Sequence, residues 1–254
     1  MQQIKTIAAI MIILIFAASC KKETSEISAP SPTNQKKVVE EKNLTNGDFK
    51  KYSYDAQGKV IKVESATNSW NIEYLPSMIK VTRKRISDDK LLGTDEYSIN
   101  ASGRMISSVS RSATGVVAYN YEYEYDNSGY MIRMKESYAN GEVYEDFVTN
   151  PTGNPVTVKN YYNGILNDVT EYYYNADVKN LGTGTYLISY YGIEGFAGKI
   201  PQREISEFKR FDASGVLSYH KINTFIAGSD RTIQKYKSTY PGQGLVHEWS
   251  VSYQ

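Results

Sequence analysis

Large and polar side chains alternate along most of this chain. In residues 119–125 every second residue is a tyrosine, and Asn120, Glu122 and Glu124 occupy the positions between them. Because successive side chains of a β-strand point to opposite faces, this period of two predicts strands with one packing face and one polar face. No part of residues 44–254 has a sustained helical period. The pattern therefore predicts an all-β structure.

A short turn motif, Y-x-Y-D/N-x-x-G in its fullest form, recurs between the alternating segments. An Asp or Asn side chain can accept hydrogen bonds from the backbone that follows it, and Gly supplies the positive φ that ends a tight turn. The spacing from Asn100 gives steps of 26, 24 and 25 residues, the last to a copy at Asn175 that lacks the glycine. A degraded copy surrounds residues 74–79. The predicted turn residues are Asp55, Gly58, Asn100, Gly103, Asp126, Gly129, Asn150, Gly153, Asp212 and Gly215.

Each period of about 25 residues holds two strands, because further turn signals lie between the copies. These signals are Ser112–Gly115, Asn140-Gly141, Asn163-Gly164 and Gly182–Gly184. The Asn-Gly pairs favour type I′ hairpins. Residues 44–254 are therefore predicted to form one domain, an antiparallel meander of about 14–18 strands built from hairpin repeats. The period is compatible with a large curved sheet, a barrel-like closure or a two-layer structure.

The N-terminus has the pattern of a secretory signal that ends in a lipid-attachment site. Lys5 is followed by an apolar run over residues 7–16 and then by Ala17-Ala18-Ser19-Cys20. A basic start, about ten apolar residues and a small-residue exit are typical of a signal peptide, and the run is shorter than the ~20 residues of a spanning helix. The small residues before Cys20 resemble the lipobox of bacterial lipoproteins. Residues 1–19 are predicted to be the signal peptide and Cys20 the acylated residue, the alternatives being an ordinary signal peptide or a buried free thiol.

Residues 20–43 are predicted to be a flexible, lipid-anchored tether. They are polar, contain Pro30 and Pro32, and have too few large apolar residues to offset the entropy of ordering. A short helix over residues 38–42 is the alternative. Lys21 and Lys22 follow Cys20, so the Asp that marks inner-membrane retention in some bacteria is absent, and the resemblance favours the outer membrane, facing either the periplasm or the surface.

Composition excludes several functional classes. The chain has 29 Lys+Arg and 28 Asp+Glu. Lys5 is the only charged residue in the predicted signal peptide, so the mature chain would have no net charge. This balance argues against nucleic-acid binding and means that acylated Cys20, not a basic patch, must hold the protein at a membrane. One Cys cannot form an internal disulfide or a Cys-rich zinc site. The 23 tyrosines are mainly expected to pack within the sheet, and some of them to form a platform for sugars or peptides.

The turn motif resembles YD repeats, the hairpin units of bacterial surface and toxin-shell proteins. Together with the lipobox, the chain from about residue 44 is similar to uncharacterised lipoproteins of Bacteroidetes-type bacteria, a family described as having a porin-like fold. The resemblance implies a β-repeat structure and supplies no active-site residue. A transmembrane barrel is not expected, because charged residues such as Lys62, Glu64, Arg133 and Lys135 recur on one face of the strands.

The sequence contains no recognisable catalytic or metal-binding constellation, and no cofactor is predicted. His220 and His247 stand apart, and His247 faces away from Glu248 in a strand. Asp88-Asp89 and Asp95-Glu96 are placed in a loop without the spacing of a Ca²⁺ site. The glutamates at positions 122, 124, 142 and 145 are interpreted as a solvated strand face.

These observations favour a lipid-anchored, non-enzymatic protein of the cell envelope, with a binding or structural role. A glycan, a peptide or a neighbouring outer-membrane protein is the expected partner. The alternative is a surface glycoside hydrolase in which two carboxylates from separate strands meet beside aromatic rings. A fragment of a toxin shell or adhesin is a third possibility.

Overall fold

Sixteen strands make up the part of the chain described by the computed structural model, which covers residues 37–138, 140–151, 154–179 and 203–254. In chain order they are β1 (Val38–Asn43), β2 (Phe49–Tyr54), β3 (Val60–Glu64), β4 (Asn68–Leu75), β5 (Met78–Arg85), β6 (Leu91–Ile99), β7 (Met105–Ser112), β8 (Val117–Tyr125), β9 (Met131–Tyr138), β10 (Gly141–Thr149), β11 (Pro155–Tyr162), β12 (Ile165–Lys179), β13 (Arg203–Asp212), β14 (Leu217–Ala227), β15 (Ile233–Tyr240) and β16 (Leu245–Tyr253).

The strands form a closed antiparallel barrel. Each strand pairs with the next in sequence, and β1 pairs with β16 to complete the ring. Among the described residues, none forms a helix long and apolar enough to cross a bilayer. The predicted all-β antiparallel meander is confirmed, and of the three arrangements left open by the repeat it is the barrel that forms.

The two ends of the barrel differ in which turns they carry. The end that holds Lys37 and Gln254, where the chain enters and leaves, is called the lower end; it also carries the turns β2–β3, β4–β5, β6–β7, β8–β9, β10–β11 and β14–β15. The opposite end, called the upper end, carries the turns that join each odd-numbered strand to the strand after it. Most copies of the Asx-x-x-Gly motif therefore lie at the lower end, and the copy at Asp212 lies at the upper end.

One hydrogen-bond network is repeated in these turns. Asp55 Oδ1 accepts from the backbone N–H of Gln57 at 3.0 Å and of Lys59 at 2.8 Å, and the N–H of Gly58 donates to the Asp55 carbonyl. Gly58 has a φ of 82°, which a residue with a Cβ adopts only at a cost. The same bonds recur after Asn100 and Asp212, and in part after Asp126 and Asn150. Gly153 and Gly182–Gly184 lie outside the described residues.

Three sequence predictions about local structure are wrong. Residues 38–43 form β1 instead of the end of a tether. The sequence did not indicate a strand here, because two of its buried, inward-facing residues, Glu41 and Asn43, are polar. No strand end follows Asn175: β12 continues through it with a register shift, although Asn175 Oδ1 accepts from the Asp177 N–H at 2.7 Å, and Val178 occupies the position of the motif glycine. Gly141 is already the first residue of β10, so Asn140-Gly141 is not a type I′ pair, whereas Asn163 and Gly164, with φ of 47° and 80°, have the expected geometry.

The inner face of the barrel carries the core, which is packed most tightly in the lower half. Val63, Ile79, Val81, Met105 and Ile233 have no exposed surface. Their cross-strand neighbours are also inward-facing, as in the pairs Tyr52–Val63 and Tyr97–Ile79. At about 25 cal/mol per Å² of buried apolar surface, this layer supplies most of the favourable free energy of folding.

Charged residues occupy the outer face. Ion pairs join Lys62 to Glu64 at 2.7 Å, Arg133 to Asp146 at 2.6 Å and Lys135 to Glu142 at 2.6 Å. The four charged residues that the sequence assigned to one polar face therefore lie on the outside: Lys62, Glu64, Arg133 and Lys135. A transmembrane barrel shows lipids an outward apolar band about 25 Å tall, whereas these charged pairs interrupt the described outer face.

Four tyrosine hydroxyls fasten the lower ends of hairpins. Tyr54, Tyr74, Tyr174 and Tyr253 each lie near the end of an even-numbered strand, and each donates to the carbonyl of the first residue of the preceding strand, at 2.6, 2.9, 2.6 and 2.6 Å. We call these four residues the tyrosine clamps. Tyr125 occupies the equivalent position on β8, but its buried hydroxyl finds no partner among the described residues.

Replacing a tyrosine clamp with phenylalanine is expected to destabilise the protein. Tyr54→Phe and Tyr253→Phe each remove one hydrogen bond to a partly buried carbonyl, so each is expected to lower the free energy of unfolding by about 1–2 kcal/mol. Urea unfolding followed by tyrosine and tryptophan fluorescence measures this change.

Tyr125→Phe is the matched control. It removes the same atom from a buried hydroxyl that has no partner, so stability should be unchanged or slightly increased. Equal losses in all three variants would show that the hydroxyl bonds of the clamps contribute nothing specific.

Candidate ligand site in the barrel lumen

The lumen opens toward the upper end. Along β8, the inward-facing tyrosines become steadily more exposed, from Tyr123 at 8% through the half-buried Tyr121 to Tyr119 at 45%. The same gradient runs along β16, from buried Val251 through half-buried Trp249 and His247 to exposed Leu245. Solvent therefore reaches the upper half of the lumen, whereas the side chains of the lower half pack against one another.

An aromatic ladder lines one wall of the upper half. It crosses five adjacent strands, β12 to β16, through Tyr172, Phe208, Tyr219, Tyr240 and His247. The first three rings are stacked, with centroids 5.9 and 5.3 Å apart, and the last two contacts are edge-to-face at 5.9 and 5.7 Å. Cross-strand neighbours on one face lie close enough for such contacts, so inward-facing aromatics on successive strands form a continuous surface.

Carboxylates line the wall beside the ladder. Glu145 on β10 and Asp168 on β12 face the lumen on either side of Asn160 of β11, so their backbones lie about 10 Å apart, which is two strand spacings. Arg210 of β13 approaches Asp168, with 3.8 Å between Nε and Oδ1. Glu136 of β9 interacts with the Tyr121 hydroxyl. Burial raises the pKa of the Glu145 carboxyl to about 7; the charge of Asp168 also raises it, and Arg210 lowers it.

This position of Glu145 corrects the interpretation of the four glutamates as one solvated face. Glu122, Glu124 and Glu142 lie on the outer face, but Glu145 is three residues from Glu142, an odd number, and so points inward with Val143 and Phe147. Asp95 and Glu96 are also misplaced by the sequence interpretation. They lie within β6, where buried Asp95 faces the lumen and pairs with Arg83 at 3.3 Å.

Most other lumen charges have partners. Glu41 is buried and accepts from the Tyr52 hydroxyl at 2.6 Å. Arg83 also donates to Ser110 Oγ and to the Arg111 carbonyl, both at 3.1 Å. The exceptions among the described residues are Glu145 and Lys221, for which no hydrogen bond or ion pair is found.

The two histidines have separate environments. His220 lies on the outer face, where its Nε2 is 2.7 Å from Glu207 Oε1. His247 faces the lumen, between the Tyr240 ring and the Asn43 side chain, with 3.4 Å from its Nδ1 to Asn43 Nδ2. Within the described ranges, no group of three or more His, Cys, Asp or Glu residues is arranged to hold a metal ion.

The site contains two residues that the sequence analysis interpreted in other ways, Glu145 and His247, and none of the predicted turn residues. Cys20 is outside the described residues, and the repeated Asx and Gly residues belong to the turns at the barrel ends. The other lumen residues were not identified from the sequence, because each is a polar or aromatic residue in a strand that contains many of them. A signal was available: polar residues in phase with the tyrosines, such as Arg210 two residues from Phe208, must share their inward face.

The fold defines a class, that of antiparallel β-barrels in which one meander of strands closes on itself. Solved structures with this fold include a porin-like protein from Bacteroides uniformis ATCC 8492, with a TM-score of 0.62 at 12% identity; the match covers 88% of this chain and 98% of that one. A porin-like protein from Bacteroides vulgatus ATCC 8482 also has a TM-score of 0.62, at 15% identity, and the match covers 87% of this chain and 99% of that one. No family model and no curated protein sequence matches the chain. The porin-like fold expected from the sequence resemblance is confirmed.

The raised pKa of Glu145 predicts a loss of stability with rising pH. The folded protein holds the Glu145 proton up to about pH 7, whereas the unfolded chain releases it near the ordinary value of 4.5. Between these values the folded state binds one more proton, so its stability falls as pH rises, by at most about 3 kcal/mol. Urea unfolding of wild type and Glu145→Gln at intervals from pH 4.5 to 7.5 should show a steeper fall in stability for wild type, because the raised pKa of Glu136 acts equally in both proteins.

Glu124→Gln, which removes an exposed carboxylate from the outer face, controls for the change in net charge. Parallel pH profiles for wild type and Glu145→Gln would contradict the placement of Glu145 in a desolvated cluster.

Proposed function

We propose that the protein is a lipid-anchored component of the cell envelope that binds a glycan in the upper half of its lumen. The observation that carries this proposal is the aromatic ladder at the open end of the barrel. Aromatic rings present flat apolar faces to the C–H faces of sugar rings, and the surrounding Arg, Asn and carboxylate groups match sugar hydroxyls. A pocket of aromatic walls with a few convergent polar groups is typical of small-molecule sites.

Attachment through acylated Cys20 fits the surface of the barrel. Charged pairs lie on the described outer face, and a lipid at the N-terminus would supply the membrane affinity in place of a spanning barrel wall. The chain enters the barrel at the lower end, opposite the open lumen. An anchored protein would thus hold its binding site away from the lipid. The outer membrane is the proposed location.

The anchor is tested by changing one residue. Cys20→Ala is expected to abolish incorporation of a labelled fatty acid and to remove the acyl-dependent membrane binding, because the thiol that would carry the lipid is gone. Lys22→Ala, two residues away, should stay acylated and membrane-bound. If Cys20→Ala protein were still labelled and still sedimented with membranes, the anchor would lie elsewhere.

Glycan binding is tested with the detergent-solubilised full chain on immobilised envelope glycans. Tyr219→Ala removes a central ring of the ladder and is expected to weaken binding about 10-fold, which corresponds to about 1.4 kcal/mol. Tyr144→Ala is the control, since Tyr144 stacks on Tyr161 at 4.6 Å on the outer face. Equal effects of the two variants, or no binding by wild type, would contradict the proposal.

A glycoside hydrolase is the second candidate, and the pairing of Glu145 with Asp168 is what favours it. A carboxyl with a pKa near 7 can donate a proton at neutral pH, and a second carboxylate lies two strands away. The binding assay distinguishes the two functions when release of reducing ends is also measured. Binding without release supports the non-enzymatic role; release that Glu145→Gln abolishes would establish the hydrolase instead.

A further inference from the structure

Lys221 is a charged residue on the inner wall of the barrel that has no ion-pair partner among the described residues. It lies on β14, opposite Phe208 of β13, and burial lowers the pKa of its ammonium group. The Nζ atom is 6.0 Å from the centroid of the Phe208 ring and 5.8 Å from that of Tyr240, so the ammonium sits between two rungs of the aromatic ladder. Within the described part of the chain it has no hydrogen bond or ion pair.

The neighbours of Lys221 do not neutralise it at short range. Arg210, one position toward the upper end on β13, is directed to Asp168 and to Thr170 Oγ1. Asn223, one position toward the lower end, donates to the Ile205 carbonyl and accepts from Ser238 Oγ at 2.8 Å. Glu204 acts on Lys221 only through longer-range attraction. A half-buried ammonium group without a hydrogen-bond acceptor carries a desolvation cost, and two cation–π contacts offset only part of that cost.

We propose that the lumen ligand is an acidic saccharide, with a carboxylate bound by Lys221 and a sugar ring stacked on the neighbouring rings of Tyr219 and Tyr240. This assignment rests on the proposed glycan-binding function and narrows it to one chemical class. A carboxylate supplies the acceptors that the ammonium lacks, and charge-assisted bonds of this kind are the stronger ones in proteins. The exposed position of Arg210 at the mouth adds a second positive charge on the entry path.

The test compares two oligosaccharides that differ only in the terminal sugar, glucuronic acid in one and glucose in the other. Isothermal titration calorimetry with wild-type protein is expected to show binding of the acidic form at least about 10-fold tighter, since a hydrogen bond to a charged group contributes about 1.5–3 kcal/mol. Lys221→Met, which keeps an unbranched apolar stem, should remove this preference. Lys235→Met, on the outer face of β15, should leave it unchanged.

Folding is monitored in the same samples. Because Lys221 is half-buried and has no ion-pair partner among the described residues, Lys221→Met is expected to leave the thermal unfolding midpoint unchanged or to raise it. Lys221→Arg keeps the charge, should retain the preference for the acidic sugar, and replaces Lys221→Met as the informative variant if the latter fails to fold.

The possible failures separate the two proposals. If wild type binds the two oligosaccharides equally well and Lys221→Met changes neither affinity, the acidic class is wrong while glycan binding stands. If wild type binds neither these probes nor any immobilised envelope glycan, glycan binding itself is wrong.

Discussion

The pairing of the first strand with the last is the interaction on which the rest of the structure depends. Val38 lies opposite Tyr253, Asn43 lies opposite Trp249, and the backbones of Lys37 and Gln254 exchange two hydrogen bonds of 3.2 and 3.0 Å. Without this seam the meander would be an open sheet with two unpaired edges, each a template for association with other chains. Once the seam forms, the sheet has an inner and an outer face, and alternate side chains of each strand point into the lumen or to the outside.

In the closed barrel, the same inner face forms both the core and the lining of the lumen. The lower half of that face is a packed core, and the upper half lines a space that solvent reaches. Each strand contributes to both along its length, as β8 does between buried Tyr123 and exposed Tyr119. The stability of the barrel thus comes mainly from one end, and the other end is free to carry polar and charged groups that a core would not tolerate.

The fold was largely predictable from local signals, and the candidate site was not. Strand alternation and the Asx-x-x-Gly turns depend on interactions within a few residues. The turn-forming roles of Asp55 and Asn163 could therefore be predicted from the sequence. Barrel closure depends on register between β1 and β16, more than 200 positions apart, which no local pattern encodes. The lumen cluster depends on strand register in the same way. Glu145, Asp168 and Lys221 lie on the same wall of the lumen because the pairing registers of β10 to β14 determine their positions along the barrel.

The tyrosine clamps and the seam also imply an order of folding. The clamps join residues only 14 to 20 positions apart, all within one hairpin, whereas the seam joins residues 204 or more positions apart. Local hairpins form in about 1–10 μs, while contacts between distant residues must first overcome loop-closure entropy and form later. The four hairpins that contain a clamp can therefore fix their register early, and the pairing of β1 with β16 is expected to form last.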